Sequence, residues 1–161
     1  MLNFTQIISP PGTTLRTKTL LHQSNPQSLP RTDIDNLLNQ WLKHRQEVLV
    51  SYSQLCVEEE NKHENLDEFC QVMMDYVATG HFKVFEKLAE FHHASQPYSQ
   101  DLDAVLLKKI NLSTDAMLDF NDKYTDKNLD QLALDLSHLG ESLANRMDWE
   151  DEFVRYCLQF S

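Results

Sequence analysis

The eighteen residues Phe69–Glu86, FCQVMMDYVATGHFKVFE, decide the reading of the fold. Phe69, Cys70, Met73, Tyr76 and Val77 recur at helical spacing, while Asp75 falls off that stripe and is expected to point outward. After Ala78, Thr79 and Gly80 a new stripe begins with Phe82, Phe85 and Leu88. Gly80 stands where a helix C-terminus favours positive φ, and His81 and Phe82 then open the next helix. The expectation is two amphipathic helices joined by a tight corner at Gly80.

Working outward, a long first helix is expected from Thr32, which with Asp35 forms a capping pair. Its stripe runs Ile34, Leu37, Leu38, Trp41, Leu42, Val48, Leu49, Tyr52, Leu55. Polar Glu58 to Asn65 interrupts it as a solvated loop. The two helices flanking Gly80 then cover about Leu66 to Ala78 and His81 to Ala94, and Ser95, Gln96 and Pro97 stop the second. A fourth helix is expected from about Gln100 to Tyr124 and a fifth from about Leu129 to Gln159, with a turn near Asp126 to Asn128. With three glycines and no strand-length alternation, the fold class is all-α, an antiparallel, four-helix-bundle-like arrangement of about five helices.

Residues 1–31 hold four of the five prolines and are rich in Ser, Thr, Asn and Gln, which reads as a disordered N-terminal arm ahead of one helical domain over 32–161. The arm has no acid and loosely resembles an organelle transit peptide, but an incidental tail fits the rest of the chain better. The net charge of the whole chain is −11, and everything from Asp33 onward carries 11 basic and 25 acidic residues. Such a body argues against direct binding to DNA or an anionic membrane and for a basic partner. No apolar run approaches the ~20 residues of a membrane span, so a cytoplasmic protein is expected. Cys56, Cys70 and Cys157 lie on apolar stripes without metal or disulfide spacing and are expected as buried thiols.

Catalytic and metal chemistry find little support. Two Glu-x-x-His words, Glu60–His63 and Glu90–His93, are of the kind a di-metal bundle uses. One lies in a run with no apolar face and the other at a helix end, whereas ligands must point inward from mid-helix. Ser51, Ser53 and the cysteines have no strained turn to present them, and no glycine-rich loop exists to cradle a phosphate. His81 is best explained by capping or packing. No cofactor is expected.

Two charges break the apolar stripes, Arg45 between Trp41 and Val48 and Glu150 between Met147 and Val154; facing one interior, they are expected to pair as a register device. Residues 119–152 hold ten acids against Lys123, Lys127 and Arg146. That tract reads as a solvated face, or as a docking surface that would speed encounter with a cationic partner.

The corner word FCQ, DY, GHF and E, with WLKHRQEVLVSY at Trp41–Tyr52 and FNDKY at Phe120–Tyr124, resembles the regulator-of-sigma-D family of proteobacteria, the Rsd and AlgQ proteins. The likeness runs from about Leu37 to about Phe153. It implies an all-helical anti-sigma factor, not an enzyme, that binds the fourth conserved region of the principal sigma factor of RNA polymerase and keeps it from core enzyme and the −35 promoter element. A monomer is expected in the bound state. Family members are also thought to bind the phosphocarrier protein of the sugar phosphotransferase system or the enzyme handling ppGpp, so a signalling adaptor is the alternative. Contacts are expected at the corner and on the first helix: Asp75 toward a sigma arginine, Tyr76 and Phe82 as apolar anchors, Trp41 beside them, and Glu86 and Glu47 as rim charges. Asn39 and Gln40 replace the usual acidic-basic pair before Trp-Leu, and Thr79 replaces a small residue at the corner, which bears on affinity.

Overall fold

The computed structural model describes residues 29–96, 102–126 and 128–159. The expected disordered arm lies outside the described residues, apart from Leu29, Pro30 and Arg31. The described residues form an all-α bundle of four rods and contain no strand. Helix α1 is Arg31–Val57, α2 is Lys62–Thr79, α3 is Glu86–Ser95, α4 is Leu102–Lys123 and α5 is Leu132–Leu158. A π-helical turn, Gly80–Phe85, joins α2 to α3, and a 3-10 turn, Tyr124–Asp126, follows α4.

The expected corner is not there. Gly80 has φ −58° and ψ −53°, Thr79 and Phe85 are also right-handed, and no described glycine has positive φ. The chain runs through Gly80 as one continuous rod from Lys62 to Ser95, with a single widened turn. The glycine answers a packing demand instead. A Cβ on Gly80 would stand 3.0 Å from Trp41 Nε1 and 3.1 Å from the Phe85 ring, so a bare backbone is what lets α1 approach the turn. The wider turn absorbs one extra residue and resets the phase between the Met73–Tyr76–Val77 stripe and the Val84–Phe85–Leu88 stripe.

Contacts between rods fix an up-down-up-down order. Tyr52 meets Phe69 and Trp41 meets Tyr76, so α1 and α2 are antiparallel. Phe69 meets Phe120 while His93 meets Asp103, which sets the long rod antiparallel to α4. Phe85 meets Phe153 and His92 meets Tyr156, placing α3 beside α5 in the same direction. Trp41 is the aromatic hub, stacked on Tyr76 with centroids 5.9 Å apart and edge-on to Phe85 at 5.4 Å; such pairs add ~0.5–1.5 kcal/mol each beyond burial.

Several boundaries differ from expectation for local reasons. No side chain caps α1: Pro30 is its N-cap, its carbonyl accepts from the amides of Asp33 and Ile34, and Asp35 pairs with Arg31 instead of capping with Thr32. The loop expected over Glu58–Asn65 shrinks to Glu58–Asn61, with Asn61 left-handed at φ 56°. Lys62 Nζ donates to the Leu55 carbonyl at 2.6 Å and the Glu58 carbonyl at 3.0 Å, closing the open end of α1 and letting α2 start a turn early. Helix α5 starts at Leu132 rather than Leu129, after a turn in which Asn128 Oδ1 accepts from the Asp130 amide. Cys157 is buried and Cys70 half-buried, but Cys56, expected inside, is exposed. No helix among the described residues is long and apolar enough to cross a membrane.

Candidate partner-binding face

The polar centre of the bundle is built on Glu150, which has no solvent exposure. Its Oε2 lies 2.9 Å from Arg45 Nη2, its Oε1 lies 2.7 Å from Arg146 Nε, and Tyr76 donates its hydroxyl proton to Oε2. Arg45 Nη1 reaches outward to Asp151 at 2.6 Å, and its guanidinium lies 4.6 Å over the Trp41 ring. Arg146 Nη1 donates to the Ile110 carbonyl at 3.1 Å, Ser113 Oγ at 3.1 Å and Thr114 Oγ1 at 2.6 Å. The Glu150 carboxylate thus joins α1, α2 and α5, and Arg146 extends the network to α4. Burial first, then the adjacent Glu150 carboxylate, hold the Tyr76 phenol well above the ordinary tyrosine range, so this hydroxyl stays a donor.

Arg146 is the member that sequence reasoning missed. By composition it is one of three cations in the acidic tract, yet it is 1% exposed. The signal that could have found it is its spacing of four from Glu150 and three from Leu143, which puts it on the buried stripe of α5. The tract is consequently not one solvated face: Glu150 and Arg146 belong to the core, and Asp135 is held by Lys123 at 2.5 Å and by the Tyr124 hydroxyl. Asp119, Asp122, Asp126, Asp130, Glu141, Asp148, Asp151 and Glu152 remain exposed.

The expected contact residues divide into two groups. Trp41 is 1% exposed and Tyr76 is wholly buried, so neither can touch a partner in this conformation; both are support, not surface. Their physical role is to wall the π turn from inside, with Trp41 packed against Gly80 and Phe85. Asp75, Phe82 and Glu86 are all exposed along the α2–π–α3 rod, with Phe82 inside the π turn and the two carboxylates before and after it. Phe82 keeps 40% of its surface in water, a real cost for a phenyl ring, and the half-buried His81 ring lies edge-on to it at 4.9 Å. Glu47 is exposed on α1, 3.5 Å from His44 Nδ1. The face therefore offers an aromatic ring between two carboxylates. Among the described residues no group of three or more His, Cys, Asp or Glu is placed to hold a metal.

His81, behind that face, is half-buried. Burial first and the Arg146 guanidinium second lower its proton affinity, against a hydrogen bond with Asn111 that raises it. A neutral imidazole packed at the turn follows, which gives the residue a structural role.

Comparison with known proteins settles the family. Residues 20–157 match the family described as regulator of RNA polymerase sigma(70) subunit, Rsd/AlgQ. The chain belongs to the Rsd/AlgQ family. Individual relatives agree: it is 31% identical over 134 residues to the regulator of sigma D of Pectobacterium carotovorum subsp. carotovorum (strain PC1), covering 74% of this chain and 86% of that one. To the regulator of sigma D of Yersinia pseudotuberculosis serotype O:1b (strain IP 31758) it is 29% identical over 138 residues, 78% of this chain and 81% of that one. The corresponding figures for the Enterobacter sp. (strain 638) protein of the same name are 28% over 136 residues, 77% and 81%. All of the buried network and all of the exposed face fall inside the residues that match the Rsd/AlgQ family.

Proposed function

We propose that this Rsd/AlgQ-family protein is an anti-sigma factor that binds region 4 of the principal sigma factor through the outer face of the α2–π–α3 rod. The supporting observation is that Asp75, Phe82 and Glu86 are all exposed along the α2–π–α3 rod, inside the residues that match the Rsd/AlgQ family. A sigma domain that grips promoter phosphates must present basic side chains, and this face answers with an aromatic anchor flanked by carboxylates. Asp75 pairs with an arginine of the sigma helix-turn-helix, Phe82 supplies apolar contact, and Glu86 and Glu47 form a charged rim. Occupying that surface withholds region 4 from core polymerase and from the −35 element, so repression is stoichiometric and needs no covalent chemistry. The site of action is the cytoplasm, where polymerase works.

Titration calorimetry of the full chain against isolated region 4 tests the proposal. Tight one-to-one binding that −35 duplex DNA competes away is the expected result. Absence of binding at low salt would overturn it and leave a signalling adaptor, with the phosphocarrier protein or the ppGpp enzyme as partner, as the reading to pursue.

A further inference from the structure

The π turn brings one titratable side chain into contact with both the buried network and the candidate face. His81 stands between Gly80, which is closed against Trp41 and Phe85, and Phe82, the exposed ring of that face. Its own ring is half-buried and lies at 86° to the Phe82 ring, with centroids 4.9 Å apart. Asn111 of α4 hydrogen-bonds the imidazole, the Arg146 guanidinium of α5 acts on it electrostatically, and the exposed Glu86 of α3 bears on it with the opposite sign. From α1, Trp41 packs against the turn and carries the Arg45 guanidinium over its ring. His81 therefore links the charged interior to the anchor that stands in water.

We infer that His81 is the positioning residue of the Phe82 anchor and acts as the neutral imidazole, which makes the hold on a basic partner pH-dependent; the inference rests on the sigma reading of this face. Two effects set the direction. The neutral ring packs against Phe82 and orients it without adding charge to the face. The imidazolium adds a cation where basic side chains must dock, and it competes with the partner for the Glu86 carboxylate. A basic partner laid over the face makes protonation of His81 harder still, so binding expels the proton that the free protein holds. In the free protein, burial first and Arg146 second already lower the proton affinity of the ring, against Asn111 and Glu86. Affinity is therefore full above the ordinary histidine value of ~6.5 and falls as pH drops through the lower value of the free protein. His44, 3.5 Å from Glu47 on α1, is an imidazole at the expected rim and serves as the control.

Calorimetric titration of the full chain with isolated region 4 from pH 7.5 down to pH 5, in two buffers of different ionisation enthalpy, tests this. The expected result is proton release on binding toward the acid end, with affinity ~3- to 10-fold weaker at pH 5 than at pH 7.5. His81→Gln removes most of both changes and His44→Gln leaves them, with urea unfolding to establish that each variant is folded. The imidazole resonances of the wild type give a second measurement that needs no variant: His81 titrates at lower pH in the complex than in the free protein. A uniform loss of affinity in His81→Gln with proton release intact would overturn the inference, since packing alone would account for it. So would a His81 titration that binding leaves unmoved. Absence of binding at every pH strikes the sigma reading itself, whereas binding that does not change with pH strikes this inference alone.

Discussion

Asp75 and Tyr76 are neighbours in sequence and belong to different halves of the molecule. Asp75 stands in solvent on the outer face, whereas Tyr76 has no exposure and donates a hydrogen bond to the carboxylate at the centre of the buried network. About 100° of helical rotation separates an exposed residue from one that holds the fold. The interior half is charged and centred on the fully buried Glu150; the exterior half carries a phenyl ring that folding leaves in water. The difference teaches that a motif found by resemblance mixes two kinds of selection, and only burial sorts them.

The largest effect is expected at Glu150. In Glu150→Gln the buried Arg146 loses its carboxylate partner and the partly exposed Arg45 keeps only Asp151, and urea unfolding should show a loss of ~3–5 kcal/mol. A loss below ~1 kcal/mol would mean that the interior half does not hold the fold. Next comes Gly80→Ala. Alanine is worth ~1 kcal/mol more than glycine inside a helix, but the new methyl meets Trp41 and Phe85, so the variant should lose ~1–3 kcal/mol. Stabilisation would show that the close approach of α1 to the π turn is not a constraint. Asp75→Arg, by contrast, should change the unfolding free energy by less than ~0.5 kcal/mol, because the side chain is exposed and lies away from the buried network.

The smallest effect concerns pH. The proton affinity of His81 is lower in the folded than in the unfolded chain, so the unfolded chain binds the extra proton. The neutral ring's contribution is fully present above the ordinary histidine value of ~6.5 and is lost as pH falls through the lower folded value. His81→Gln should therefore flatten the decline of the urea midpoint between pH 7 and pH 5, and an unchanged profile would remove the residue from the account.

How much of this could be read in the sequence follows from what period and spacing encode. The apolar stripes gave the rods and their order of appearance, and two charges breaking those stripes, Arg45 and Glu150, do meet in the interior. Gly80 is ambiguous in the sequence because helix termination and close packing both demand a glycine; the position of Trp41, distant in sequence, tells them apart. Trp41 and Tyr76 lie on apolar stripes and also suit a binding centre, and sequence alone does not choose; their burial places both in the core of the free protein. The early start of α2 depends on Lys62 reaching back to the end of α1, a side-chain event without a propensity signature. Arg146 hid within a run of charges although its spacing from Glu150 was visible.

The most direct test of the central claim sets Asp75→Arg beside Tyr76→Phe in calorimetric titrations against isolated sigma region 4, at a temperature where both variants are folded. The account predicts that Asp75→Arg loses binding with an unchanged unfolding midpoint, while Tyr76→Phe keeps wild-type affinity with a lowered midpoint. Equal affinity of Asp75→Arg and the wild type would contradict it, because the exposed half of the motif would then have no part in holding sigma.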